Sequence, residues 1–99
     1  MSQLYGNFSA KTVAETVINC PNNTWTALPT TALAGRQYVE IYNKGEYKLY
    51  ISFDSSAAVQ YRTAIGGGEL RGIPIQDNLT LYGRSGGTGS VRVIVTEFK

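Results

Sequence analysis

Histidine is missing from this chain, and cysteine, methionine and tryptophan occur once each. Without an imidazole there is no Ser–His–acid triad and no Cys–His pair, so the usual nucleophilic arrangements of hydrolases are excluded. The same gap removes transition-metal sites built on imidazole. A lone Cys20 can neither close an internal disulfide nor supply a thiolate cluster. It follows Val17 and Ile18, with no base to activate it, and reads as a small buried hydrophobe. Charge is also scarce: 16% of residues are Asp, Glu, Lys or Arg, and nine cations against seven anions leave a formal charge of +2. Lys and Arg never form a block, so no polybasic stripe exists to displace counterions from nucleic acid. No apolar run approaches the roughly 18 residues of a membrane span, and Met1-Ser2-Gln3-Leu4 carries no basic segment leading into an apolar one. These absences lead us to expect a soluble, cytoplasm-made protein with no cofactor, no metal and no nucleic-acid or membrane partner.

What is present argues for an ordered domain. Ninety-nine residues, 42% hydrophobic and 11% aromatic with seven Tyr, are enough for one modest core and too few for two. Residues 1–11 form a polar arm carrying Leu4, Tyr5 and Phe8, and residues 12–99 form the domain. Thr12 to Cys20 is rich in β-branched residues and reads as a strand. Pro21-Asn22-Asn23 breaks it, Thr24 to Leu28 makes a short second strand, and Pro29 ends that one. Trp25, beside Leu28, is expected in the core.

Gln37 to Asn43 and Lys48 to Phe53 both alternate with period two. Val39, Ile41, Leu49, Ile51 and Phe53 share one phase, while Tyr38, Tyr42 and Tyr50 fall in the other. The short Lys44-Gly45-Glu46 loop between them predicts an antiparallel hairpin with these Tyr on a single face. Asp54-Ser55-Ser56 is a turn by composition, and Ala57 to Ile65 a further strand. After Gly66-Gly67-Gly68 comes a strand over Leu70 to Ile75, which Pro74 assigns to a sheet edge. Leu79 to Tyr82 reads as a strand, Gly83 to Ser90 as a Gly/Ser-rich loop, and Val91 to Phe98 as an inner strand. About seven or eight short strands with regular turn signals predict an all-β fold, a single antiparallel β-sandwich of jelly-roll or Ig-like type.

The remaining chemistry is thin. Seven carboxylates (Glu15, Glu40, Glu46, Asp54, Glu69, Asp77 and Glu97) are scattered along the chain and are expected in solvent. No calcium loop is spelled by them. Gly66-Gly67-Gly68-Glu69 lacks the Lys-Ser/Thr ending of a nucleotide loop, and Gly83 to Gly89 leads into a strand rather than the helix a phosphate cradle needs. Tyr is the enriched functional group. Its rigid amphipathic ring suits a protein contact, so Tyr38, Tyr42 and Tyr50 are candidates for a subunit interface.

Several stretches taken together are familiar: Trp25-Thr26-Ala27-Leu28-Pro29, Leu33-Ala34-Gly35-Arg36, and Val39-Glu40-Ile41-Tyr42-Asn43-Lys44-Gly45. Leu49-Tyr50-Ile51, Gly68-Glu69, Leu81-Tyr82 and Val91-Arg92-Val93 through Glu97 follow in order. Over about residues 17 to 98 the chain resembles the small β-sandwich proteins encoded among the structural genes of tailed bacteriophages. The resemblance implies a virion component, such as a capsid decoration (cement) protein or a head-fibre or tail accessory domain, and it implies no catalytic residue. The expected function is then non-enzymatic: binding the outside of a phage head, with the major capsid protein or another virion protein as partner. Homo-oligomerisation, with a trimer favoured, would multiply weak contacts. Leu4, Tyr5 and Phe8 are the candidate capsid anchors. The alternative is a tail or fibre module that recognises a carbohydrate or receptor through Trp25 and the Tyr face.

Overall fold

A computed structural model describes residues 13–56 and 63–99. The described residues form eight strands: β1 (Val13–Cys20), β2 (Thr26–Ala27), β3 (Tyr38–Asn43), β4 (Leu49–Ser52), β5 (Thr63–Ile65), β6 (Leu70–Pro74), β7 (Tyr82–Ser85) and β8 (Val91–Phe98). They build two four-stranded sheets, one in the order β1-β8-β3-β6 and the other β2-β7-β4-β5, and every pairing is antiparallel. The order has a simple origin. β1 pairs with β8, β2 with β7, β3 with β6 and β4 with β5, as in one long hairpin of four strand pairs. Rolling that hairpin up sends alternate pairs to opposite sheets. This is the jelly-roll form of the all-β sandwich.

Period-two alternation supplies the core. Val91, Val93 and Val95 of β8 and Val39 and Ile41 of β3 point inward from the first sheet. They meet Leu49 and Ile51 of β4 and Ile65 of β5 from the second, joined by Cys20, Leu28, Ile75 and Leu81. Pro74 does fall on an edge strand, β6, and β8 lies between β1 and β3 as an inner strand should.

Three readings of the sequence need correction. First, β3 and β4 do not form a hairpin; they lie in different sheets. Two strands paired side by side would have laid Val39, Ile41, Leu49 and Ile51 on the same sheet face. Separated, those residues face one another across the sandwich. The chain crosses by an arch at residues 44–48 that Asn43 holds. Its buried carboxamide donates to Tyr47 O (2.8 Å) and Ile65 O (2.9 Å), and its Oδ1 accepts from Gly45 N (2.8 Å).

Second, the strand expected over Leu79 to Tyr82 begins at Tyr82 and runs to Ser85, inside the stretch taken for a Gly-rich loop. Gly83 faces the core, between Leu28 after β2 and Leu49 of β4 on its own sheet, with Cys20 of β1 opposite. A Cβ there would lie 2.8 Å from Leu28 Cδ1 and 3.1 Å from Leu49 Cδ1, so glycine answers to lack of room rather than to a turn. Third, Trp25 is half-buried at the surface and not in the core. Of the strand expected over Ala57 to Ile65, Thr63–Ile65 is present and residues 57–62 lie outside the described residues.

Candidate functional site

The outer face of the first sheet is the most unusual surface. Its strand registers align side chains into rows that cross all four strands. Val13, Phe98, Tyr38 and Pro74 make one row, and Val17, Ile94, Tyr42 and Leu70 another. Between them runs Glu15, Thr96, Glu40 and Gly72. A solvated sheet face ordinarily alternates to polar residues. Here two of three rows are apolar, and Val13, Val17 and Leu70 are 55%, 61% and 59% exposed. Neighbouring rows lie about 7 Å apart, two residues along a strand.

Local packing fixes this face. Tyr38 lies across Gly72, where no Cβ would fit beneath its ring, and its ring centroid is 6.0 Å from that of Phe98 at a tilt of 50°. Glu15 and Glu40 make no ion pair or side-chain hydrogen bond among the described residues. The face therefore offers two apolar ridges flanking a strip of carboxylates. A partner with apolar groups on either side of a Lys or Arg would match it in both shape and charge.

The Tyr residues divide. Tyr38 and Tyr42 stand on this face, but Tyr50, on β4, points outward from the opposite sheet. The single Tyr face is thus corrected. Once the predicted hairpin becomes an arch, residues of one phase point away from each other. Tyr50 belongs instead to a shallow slot of about 180 Å³ with Asn22, Trp25 and Arg84, floored by Ser85 to Gly87. The Arg84 guanidinium lies 5.8 Å from the Trp25 ring centroid, and its Nε donates to Asn22 O (3.0 Å). Leu4, Tyr5 and Phe8, the candidate anchors, lie outside the described residues.

A cluster that the sequence reading passed over lies at the far end of β8. Glu97, expected in solvent, is 2% exposed and pairs with Arg36, whose Nη1 donates to Glu97 Oε2 at 2.8 Å. Arg36 also donates from Nη2 to Leu79 O (2.8 Å) and from Nε to Gln76 O (3.3 Å), while Leu33 N donates to Glu97 Oε2 (2.9 Å). Gly35 N donates to Asp77 Oδ2 at 2.6 Å. The signal was there: Glu97 continues the inward phase of Val91, Val93 and Val95. A cleft of about 620 Å³ opens beside this cluster, lined by Arg36, Ile75, Asp77 and Leu79. Each guanidinium nitrogen already has an acceptor within the protein, so the cluster acts as a clasp between loops.

Cys20 is buried against Gly83, and burial pushes its thiol up to about 12, well away from the thiolate a nucleophile or metal ligand needs. Among the described residues, no group of three His, Cys, Asp or Glu is placed to hold a metal ion. No family model matches the chain, and no curated protein matches it.

Proposed function

We propose that the protein is a non-enzymatic structural component of a tailed-bacteriophage virion. In this reading it docks on the outside of the head as a decoration protein, through the outer face of the β1-β8-β3-β6 sheet. The observation that carries the docking half is the pair of apolar rows, Val13-Phe98-Tyr38-Pro74 and Val17-Ile94-Tyr42-Leu70, standing where a solvated sheet would carry polar residues. Burying such rows is the main free-energy source of a protein contact, and the Glu15/Glu40 strip sets the charge of a suitable partner. The virion setting rests on the resemblance of residues 17 to 98 to small phage structural proteins, with which a jelly-roll sandwich is in keeping. Fold alone does not assign function, so the setting needs its own test.

That test has two parts. Particles purified from the phage that encodes the chain should contain it at a fixed copy number per capsid protein. Its absence from those particles would end the virion reading. Replacing Tyr42 or Ile94 by Asp should give a folded protein that no longer incorporates, whereas undiminished incorporation would remove this sheet face as the docking surface.

A second reading has an observation of its own. The slot formed by Trp25, Tyr50, Arg84 and Asn22 combines aromatic rings with hydrogen-bonding groups, as a sugar-recognising surface does. It would serve a tail or fibre accessory module. Glycan-dependent shifts of the Trp25 indole signal would favour that reading, and their absence across a glycan panel would sink it.

A further inference from the structure

Among the described residues the sandwich has four edge strands, and three of them carry devices that discourage further pairing. Within the described residues β2 has two residues and β5 three, too short to template another strand. β6 carries Pro74, which lacks an amide proton, and its Arg71 reaches across the sandwich to Thr63 Oγ1 (3.0 Å) and Ala64 O (3.3 Å) on β5. β1 is different. It has eight residues, Val13–Cys20, with no Pro, Gly, Lys or Arg among them, and its only partner strand among the described residues is β8. Among the described residues no strand pairs with the backbone donors and acceptors of its outward edge, and an extended strand is the partner that satisfies a row of them.

The side chains identify that strand as a second β1. A two-fold antiparallel pair must keep outward residues opposite outward residues, which leaves few registers. With Glu15 on the axis, two carboxylates would meet, and like charges directly opposite are destabilising. With Thr16 on the axis, Glu15 would face Val17. With Val17 on the axis, Val17 meets its own copy and Glu15 meets the partner's Asn19, a carboxylate opposite a carboxamide donor. On the inner face Thr16 then meets the partner's Ile18, and Ala14 the partner's Cys20. Pro21 bounds the pairing because it has no N–H to offer.

We infer that the protein forms a two-fold dimer by antiparallel pairing of β1 with β1 of a second copy, with Val17 on the axis. Residues 14–20 of each copy pair, and the two sheets become one eight-stranded sheet. About six to eight backbone hydrogen bonds join the copies, because hydrogen-bonded pairs alternate along an antiparallel ladder. The Val17-Ile94-Tyr42-Leu70 row then continues straight into the partner's row, doubling the apolar face. This gives two-fold self-association in place of the trimer expected from the sequence. The inference stands independently of the docking proposal, since its test involves no capsid.

The experiment is native mass measurement by light scattering over a dilution series of the full chain, with Val17→Lys and Val17→Glu variants. Val17 is 61% exposed and points away from the core, so both variants keep the fold, which circular dichroism checks. The wild type should pass from dimer to monomer on dilution. Each variant alone should dissociate at a concentration at least about tenfold higher, because like charges then face each other across the axis. An equimolar mixture of the two should recover a 1:1 heterodimer. Amide exchange within residues 14–20 should slow as wild-type concentration rises. A wild type that stays monomeric up to about 1 mM, the range of marginal affinity, overturns the inference. Variants that dimerise like the wild type, or that fail to recover as a mixture, overturn it as well.

Discussion

Replacing Arg36 by Met should cost this protein a large part of its stability. The side chains of Arg36 and Glu97 are 1% and 2% exposed, and the guanidinium supplies donors to Glu97 Oε2, Leu79 O and Gln76 O. Methionine fills similar volume but leaves the Glu97 carboxylate with Leu33 N as its remaining described donor. Breaking a buried pair by removing one partner costs about 3–5 kcal/mol, because a charge stays buried without compensation. Leu79 and Gln76 lie in exposed loop, so water can take over their carbonyls, and the lower end of about 3 kcal/mol is the better figure. In a domain of this size that lowers Tm by roughly 12–24 °C. Removing both charges with Arg36→Met/Glu97→Met should cost less than Arg36→Met alone, because no unpaired charge is left. Urea unfolding of the wild type, both single variants and the double variant completes the cycle. If Arg36→Met loses less than about 1 kcal/mol, or the two single effects simply add, the clasp is not a coupled buried pair.

Three further perturbations test other parts of the fold. Asn43→Ala removes the donors to Tyr47 O and Ile65 O and the acceptor for Gly45 N, so a loss of about 2–4 kcal/mol in urea unfolding is expected; a loss under about 1 kcal/mol would mean the arch does not depend on it. Gly83→Ala pushes a methyl into Leu28 and Leu49 and should destabilise by about 1–3 kcal/mol, while a stabilised variant would contradict the close packing of these side chains over β7. Cys20 should resist a disulfide reagent at pH 8 until the protein is unfolded, since burial holds its thiol up near 12; complete reaction within seconds in native buffer would refute that burial. The sign of the linkage follows from the same shift. The folded protein keeps the proton that the unfolded chain loses above its ordinary value of 9.0, so this contribution is intact below pH 9 and is lost as pH rises toward about 12.

Strand identities were largely legible because alternation is a local property. Val39 and Ile41, or Val91, Val93 and Val95, declare a buried face whatever they pack against. Sheet membership was not legible, since it depends on partners far along the chain. β3 takes its neighbours from residues 70–74 and 91–98, and nothing within 37–53 separates an arch from a hairpin except one residue. That residue is Asn43, a polar group in the inward phase of Val39 and Ile41. Glu97 gives the same kind of signal at the end of β8. In both places an apparent break in the apolar pattern marks a side chain that closes a long-range connection. β7 was hidden for the opposite reason: its inward position Gly83 is small because Leu28, Leu49 and Cys20 occupy the space a larger side chain would need, and the inward Ser85 turns its hydroxyl to Gly87 N and Gly89 O.

The arch also decides what the protein can present to a partner. Had β3 and β4 paired, Tyr38, Tyr42 and Tyr50 would have formed one aromatic strip, and one sheet would have carried every candidate contact. Because the chain crosses over at residues 44–48, the same residues serve two surfaces of different character. Tyr38 and Tyr42 join Val13, Val17, Leu70, Ile94 and Phe98 in a broad apolar face with carboxylates between its rows, suited to another protein. Tyr50 joins Trp25, Arg84 and Asn22 in a small polar-aromatic slot of about 180 Å³, suited to a small ligand group. In the proposed function the docking face and the recognition slot lie on opposite sheets and can be occupied together. Substitutions at Tyr42 and at Tyr50 should therefore separate in their effects, the first acting on particle or partner binding and the second leaving it unchanged.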